Sequence, residues 1–261
     1  MKCLTKYPWV KYPRSLIPSK SGLLGNYIRL YARAAYRTGQ ARYCQYINDV
    51  RLGEWVGGVV GLKSILGVST REKAFSILRE LSDWGFIEYD YNTKTKRLSY
   101  RILHIQIATM PEQGIPVYSK ETGFICLPRT LTQPLIQAGY TFGESDAWLD
   151  LWIHTIHQDA NSFLSTIVPL IQFDSGPALT LEFLGKRWGW ERTKVWRFMK
   201  KHAHTFHLFK LPGSYGSVIC NTCYAPKQDM FSVQAQITRY IRKILTYLTI
   251  SHRHRLSLIH I

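Results

Sequence analysis

Apolar positions recur at helical spacing in some stretches and at alternate positions in others, and the order of those stretches suggests an architecture. Leu23, Tyr27, Leu30 and Ala34 share one face of a predicted helix, while Arg29, Arg33 and Arg37 recur every four residues on the opposite side as a cationic stripe. Val50 to Gly57 carries a Leu-Gly turn and a short strand at Glu54-Trp55-Val56. Val59, Leu62, Ile65 and Leu66 then mark a short helix that Gly67 breaks. Ser69, with Glu72 three residues on, has the form of a capping box, opening a second helix whose buried face is Ala74, Ile77, Leu78 and Leu81. After Asp83-Trp84-Gly85 the period switches to two. Ile87, Tyr89 and Tyr91 alternate with Glu88 and Asp90, and Leu98, Tyr100 and Ile102 alternate beyond a polar turn, predicting a hairpin over 86–106.

Residues 168–221 repeat this order. Leu181 and Leu184 lie on a short helix ended by Gly189; Val195, Phe198 and Met199 punctuate the next; Phe206, Leu208 and Leu211 begin an alternating stretch. Superposing Gly67 on Gly189 aligns Leu62 with Leu184 and both following helices within one residue, so two copies of one unit are expected. The expected organisation is a basic arm at 1–20, a first module at 21–110, a Gly- and Pro-rich linker region at 111–134 and a second module at 135–225. A helix marked by Trp148, Leu149, Trp152, Ile153 and Ile156 leads into that second module. A basic amphipathic helix follows at 226–255. The ending Leu256–Ile261 reads as the translation of an adapter used in DNA library preparation, so we expect those residues to be foreign to the fold and the natural chain to continue differently.

Charge sharpens the picture. The 261 residues carry 34 Lys+Arg against 17 Asp+Glu, a formal +17, and a polyanionic partner follows from an excess of that size. It is unevenly placed. Residues 1–48 hold nine basic residues and no acid, and Gly185 to Lys201 holds seven more against Glu191 alone. Residues 130–185 carry six acids and no Lys or Arg. A hydrophobic content of 46% excludes wholesale disorder, and the apolar runs are too short to cross a bilayer. Prolines 8, 13 and 18 interrupt any signal-peptide core, and five irregularly spaced cysteines make a poor disulfide framework, so the expectation is a cytoplasmic protein without a membrane partner.

The segment Leu62 to Ile87 resembles winged helix-turn-helix DNA-binding domains. Phe183 to Lys201 resembles the helix-turn-helix of phage replisome organisers and of replication proteins on Gram-positive plasmids and conjugative elements. The tandem arrangement is similar to plasmid replication initiators. The resemblance implies a mainly α fold with small antiparallel β wings, two tandem winged helix-turn-helix domains and a C-terminal helix. It departs from the pattern in one extra residue after Gly67 and in Glu191 where a Ser or Thr cap is usual.

A recognition helix needs an apolar back and a front of long donors toward the major groove. The expected fronts are Thr70, Arg71, Lys73 and Ser76 in the first unit and Arg192, Thr193, Lys194 and Arg197 in the second, with Lys200 and Lys201 nearer the DNA backbone. Lys94, Lys96 and Arg97 form the tip of the first wing, placed to reach a phosphate or the minor groove. Trp188, Trp190 and Trp196 are expected in the core. The expectation is double-stranded DNA binding in replication initiation or replisome organisation, with a replicative helicase or its loader as protein partner and room for a homodimer. A transcriptional regulator of the same mobile element is the alternative.

Rival chemistry is thinner. His202-Ala203-His204 and Tyr240-x-x-Lys243 have the residue types of a metal-dependent strand-nicking rolling-circle replication endonuclease, but the histidines fall where the second recognition helix should end. Cys220-x-x-Cys223 lacks a matching second pair for zinc, and His154-x-x-His157 has packing neighbours. No Walker loop, dinucleotide fingerprint or serine-elbow motif occurs, so neither enzyme activity, cofactor nor metal is expected.

Overall fold

A computed structural model describes residues 8–18, 22–105, 123–156, 169–211 and 216–224, with Ala235 and Thr238. These fall into two compact bodies, one from Trp9 to Ile153 and one from His154 onward. In chain order the first holds β1 (Trp9–Pro13), α1 (Leu23–Arg33), β2 (Gly39–Tyr43), β3 (Tyr46–Val50), β4 (Glu54–Gly57), α2 (Val59–Leu66) and α3 (Arg71–Asp83). It continues with β5 (Ile87–Tyr91), β6 (Leu98–Ile102), β7 (Phe124–Pro128), α4 (Gln133–Gln137) and α5 (Glu144–Ile153). The second holds β8 (Thr155–Ile156), β9 (Leu170–Ile171), α6 (Leu181–Trp188), α7 (Arg192–Lys201), β10 (Phe206–Lys210) and β11 (Ser217–Asn221).

This is a mixed α/β protein, not a mainly α one. Among the described residues 38% are helical and 28% are in strands, with seven helices and 11 strands in four sheets. The mainly α expectation fails because several strands carry no period-two signal. β1 is buried at all five positions, Lys11 included, and pairs antiparallel with β7, which is buried at four of its five. A strand buried on both faces reads as a continuous apolar run. The β2–β3 hairpin is the opposite case, with Val50 its one buried residue.

In the first body α1 is the central element, buried everywhere except at Arg29 and Arg33, as befits a helix with neighbours on several sides. α2 and α3 lie against it, and α5 packs on both α1 and β1. Trp152 Nε1 donates to the Lys11 carbonyl at 2.9 Å, and the Tyr12 ring meets the Trp148 and Trp152 rings edge-on. The segment read as a basic arm therefore supplies a core strand, the linker segment supplies that strand's partner, and α5 lies in the first body instead of leading the second.

Asp146 joins two helix starts. It is 1% exposed and accepts from the backbone N–H of Leu24, in the first turn of α1, at 3.0 Å and from Gly143, which precedes α5, at 2.9 Å. Burial pushes its carboxyl above the usual range, while these two N–H groups and the Tyr140 hydroxyl pull it partly back.

The two bodies share a local plan. α2 and α6 each run eight residues and stop at a glycine in the left-handed region, Gly67 at φ 67° and ψ 34° and Gly189 at φ 68° and ψ 36°. The next amide closes each turn: Val68 donates to Lys63 at 3.0 Å and Trp190 to Gly185 at 2.8 Å. Each second helix is followed by a hairpin, β5–β6 or β10–β11. The strand residue just before the first helix pairs with the returning hairpin strand, β4 with β6 and Leu179 with Ser217. Trp188, Trp190 and Phe198 form the second body's aromatic core, with ring centroids 5.2–5.4 Å apart. The C-terminal helix expected at 226–255 lies outside the described residues, Ala235 and Thr238 apart, as do residues 256–261.

Candidate nucleic-acid interface

α7 owes its form to three buried residues, Val195, Phe198 and Met199, which fix its inner face. The remainder is exposed. Two adjacent rows at i, i+4 spacing run along the outside, Arg192–Trp196–Lys200 and Thr193–Arg197–Lys201, with Lys194 beside them. The helix bears five cations and no carboxylate. Lys194 Nζ sits 4.2 Å from the Trp190 ring centroid, a cation–π contact that holds the ammonium near the start of the helix. Trp196, expected in the core, is 46% exposed. The sequence held the signal: a helix whose inner face is 195, 198 and 199 turns position 196 about 100° away from 195.

α3 presents Thr70, Arg71, Lys73 and Ser76 to solvent. Its cap is Thr70, whose Oγ1 accepts from the Lys73 amide at 3.2 Å, so the helix starts one residue later than the Ser69 capping box implies. The Arg71 guanidinium lies 5.3 Å from the Phe75 ring centroid and 5.1 Å from that of Tyr91, so its position is set by two rings. Glu72, Glu80 and Asp83 on the same helix balance Arg71, Lys73 and Arg79, which makes α3 electrically unlike α7. Lys94 and Lys96 are exposed at the β5–β6 turn, where Asn92 Oδ1 accepts from the Lys94 and Thr95 amides at 3.0 Å each. Arg97 is half-buried.

The α1 stripe does not survive. Arg29 is half-buried; its guanidinium donates to the Leu66 carbonyl at the end of α2 and to the Pro18 carbonyl at 2.8 and 3.2 Å, and burial lowers its pKa. α1 ends at Arg33, so Arg37 lies beyond the helix, its guanidinium 5.6 Å from the Tyr36 ring centroid, and only Arg33 keeps the exposed helical position. Other N-terminal cations also have internal tasks. Arg14 donates to the Ala32 carbonyl near the end of α1, and Lys11, 8% exposed, holds its ammonium 4.7 Å from the Phe124 ring centroid. Cations are favoured near helix C-terminal carbonyls, which is where Arg14 and Arg29 are drawn.

The residues of the rival readings do not converge. His202 and His204 occupy the turn after α7 with ring centroids 6.3 Å apart, and His202 rests on Phe198 at 4.7 Å. Tyr240, Lys243 and His157 lie outside the described residues. Cys220 is buried in β11, which pushes its thiol up to about 12, and Cys223 is exposed. His154 lies tilted against Phe173, with ring centroids 4.4 Å apart, beside Arg187. Among the described residues no three His, Cys, Asp or Glu are grouped to hold a metal ion, and no helix is long and apolar enough to cross a membrane. No protein-family model, curated protein or solved structure matches this chain.

Proposed function

We propose that this chain binds double-stranded DNA, with α7 as the main contact and α3 with the β5–β6 turn as a second. The observation that carries the reading is α7 itself: five outward cations, an exposed Thr and an exposed Trp on one short helix without an acid. Arg192 and Arg197 have the fork that fits guanine or a phosphate, Lys200 and Lys201 serve as point charges for phosphates, and Trp196 offers an apolar face to a thymine methyl. Because the two bodies share a covalent chain, a second contact adds affinity intramolecularly. On the resemblance of Phe183–Lys201 to replisome organisers and plasmid replication proteins, the DNA is an origin with repeated sites on a mobile element, and a helicase or its loader is the protein partner.

The test is fluorescence polarisation of a labelled duplex with the full chain and with Arg192→Ala/Arg197→Ala. The double variant is expected to lose at least tenfold in affinity, about 1–3 kcal/mol being typical of one good bidentate arginine contact. Unchanged affinity would overturn the reading. Selection from a random duplex pool then separates the roles, since an initiator should enrich iterated sites.

A further inference from the structure

In the first body, β4 runs into α2 through Gly57 and Gly58, and Gly61 follows one turn on. A Cβ at Gly57 would stand 2.5 Å from the Trp55 indole, one at Gly61 3.2 Å from it, and one at Gly58 2.4 Å from the Tyr43 hydroxyl. Two aromatic side chains thus lie directly on backbone that only glycine leaves bare. Above them is an open cleft of about 590 Å³, walled by Tyr43, Trp55, Tyr91 and the first turn of α2. That volume falls within the range of about 300–1,000 Å³ common to small-molecule sites. Both rings have a partner that sets their position. Trp55 stacks on Tyr100 with centroids 5.2 Å apart and planes at 17°, and Tyr43 is tied by its hydroxyl to the Lys96 carbonyl at 3.2 Å. Val60, on the rim, is 82% exposed, and Tyr46 and Ile47 of the same β2–β3 hairpin are 55% and 69% exposed.

The charges that line the cleft are Arg71 and Lys96, with no carboxylate among the lining residues. An apolar peptide would have no use for two cations at the mouth. A nucleotide uses both features, its base on the rings and its phosphate on the cations. We propose that this cleft takes an unpaired nucleobase of DNA, stacked on Tyr43 with Trp55 walling its edge, and with its phosphate on Arg71 and Lys96. The proposal rests on the duplex-binding reading, because Arg71 and Lys96 belong to the surface assigned to the duplex. It adds a preference for DNA that is locally unpaired.

The experiment titrates the full chain into a short duplex bearing one unpaired 2-aminopurine and into its fully paired counterpart. The unpaired base should raise affinity about tenfold and its fluorescence should be quenched on binding, as stacking on a protein ring requires. Tyr43→Ala should bring the affinity ratio to about one while leaving paired-duplex affinity and the melting temperature in place, and Tyr43→Phe should retain the preference. Val60→Asp guards against a folding defect in Tyr43→Ala. It puts a carboxylate at the rim in the first turn of α2, where a helix tolerates acid, and should also lower the ratio. Equal affinity for both duplexes overturns the cleft and leaves duplex binding standing. A preference that persists in Tyr43→Ala and Val60→Asp overturns it by placing the base elsewhere. Failure to bind either duplex overturns the duplex reading and this inference with it.

Discussion

Replacing Arg192, Arg197 and Lys200 together with alanine removes three of the five exposed cations of α7 and touches none of its buried positions. Each lysine or arginine that neutralises a phosphate releases a counterion, so the logarithm of the binding constant falls against the logarithm of salt with a slope of about 0.9 per contact. Five contacts give a slope of about 4.5, and a fourfold rise in salt then weakens binding about 500-fold; two remaining contacts give about 1.8 and about 12-fold. Contacts from other elements add equally to both proteins, so the difference of about 2.7 in slope is the quantity to measure. The assay is equilibrium duplex binding over a salt series, with thermal melting as a control, since exposed substitutions of this kind stay within about 0.5 kcal/mol of the parent in stability. A triple variant whose slope matches that of the parent would refute the assignment of α7 to the phosphate backbone, even if its affinity had dropped.

Four further outcomes follow from the internal contacts. Asp146→Ala strands the buried Leu24 N–H and uncaps α5, and should cost about 2–4 kcal/mol in urea unfolding. Burial raises the Asp146 carboxyl above its ordinary value of 3.8, so the native state holds this proton more tightly than the unfolded chain does. Its contribution to stability is therefore full below about pH 3.8 and lost as pH rises through the raised value, a dependence that Asp146→Asn should abolish in stability-versus-pH curves. Gly185→Ala would place a Cβ 2.6 Å from the Trp190 carbonyl oxygen, which is backbone and cannot swing aside, and should lower stability by about 1–3 kcal/mol in thermal melts. Arg29→Ala leaves the Leu66 and Pro18 carbonyls without this donor and should destabilise the first body by about 1–3 kcal/mol, with no change in the salt slope of DNA binding.

Legibility in the sequence followed the strength of the period. The stretch from Val59 to Ile102 was readable because its helices alternate buried and exposed faces and its hairpin alternates residue by residue; the buried Ala74, Ile77, Leu78 and Leu81 are those the spacing named. From Leu181 to Lys201 the same held for the two helices, whereas β10 has Phe206 as its one buried residue and β11 is buried at four of its five positions, so neither strand shows the alternation. Strands without a one-sided face were not readable: β1 and β7 are buried almost throughout, β2 and β3 hardly at all, and β8 and β9 have two residues each. Of the candidate site, the outward polar residues of α3 and α7 were legible because both helices have unambiguous inner faces, while Trp196 was misplaced because its size was weighed above its helical position. The tasks of Lys11, Arg14 and Arg29 were not, because a carbonyl that attracts a guanidinium from a distant helix end leaves no local mark in the sequence.

That difference between cations used inside the fold and cations turned outward can be pressed further by asking where each sits on its helix. Helix C-termini favour positive charge and N-termini favour negative charge, each by about 0.3–1 kcal/mol near the surface. α6 obeys the rule, with Glu182 in its first turn paired to Lys186 at 3.0 Å and Lys186 and Arg187 in its last. α7 obeys it fully at its C-terminus and only in part at its N-terminus, where the N-cap Glu191 is followed at once by cations. Lys200 and Lys201 suit its C-terminus, but Arg192 and Lys194 crowd the N-terminal turn, which contains no acid, and the N-cap Glu191 makes no side-chain capping bond. Lys194 recovers part of that penalty on the Trp190 ring; Arg192 opposes the helix field, with the exposed Glu182 as a distant counter-charge. Under the proposed duplex binding, a phosphate docked at that end would be attracted by Arg192 and Lys194 and by the amides that no side chain caps, and would offset the crowding of those two cations.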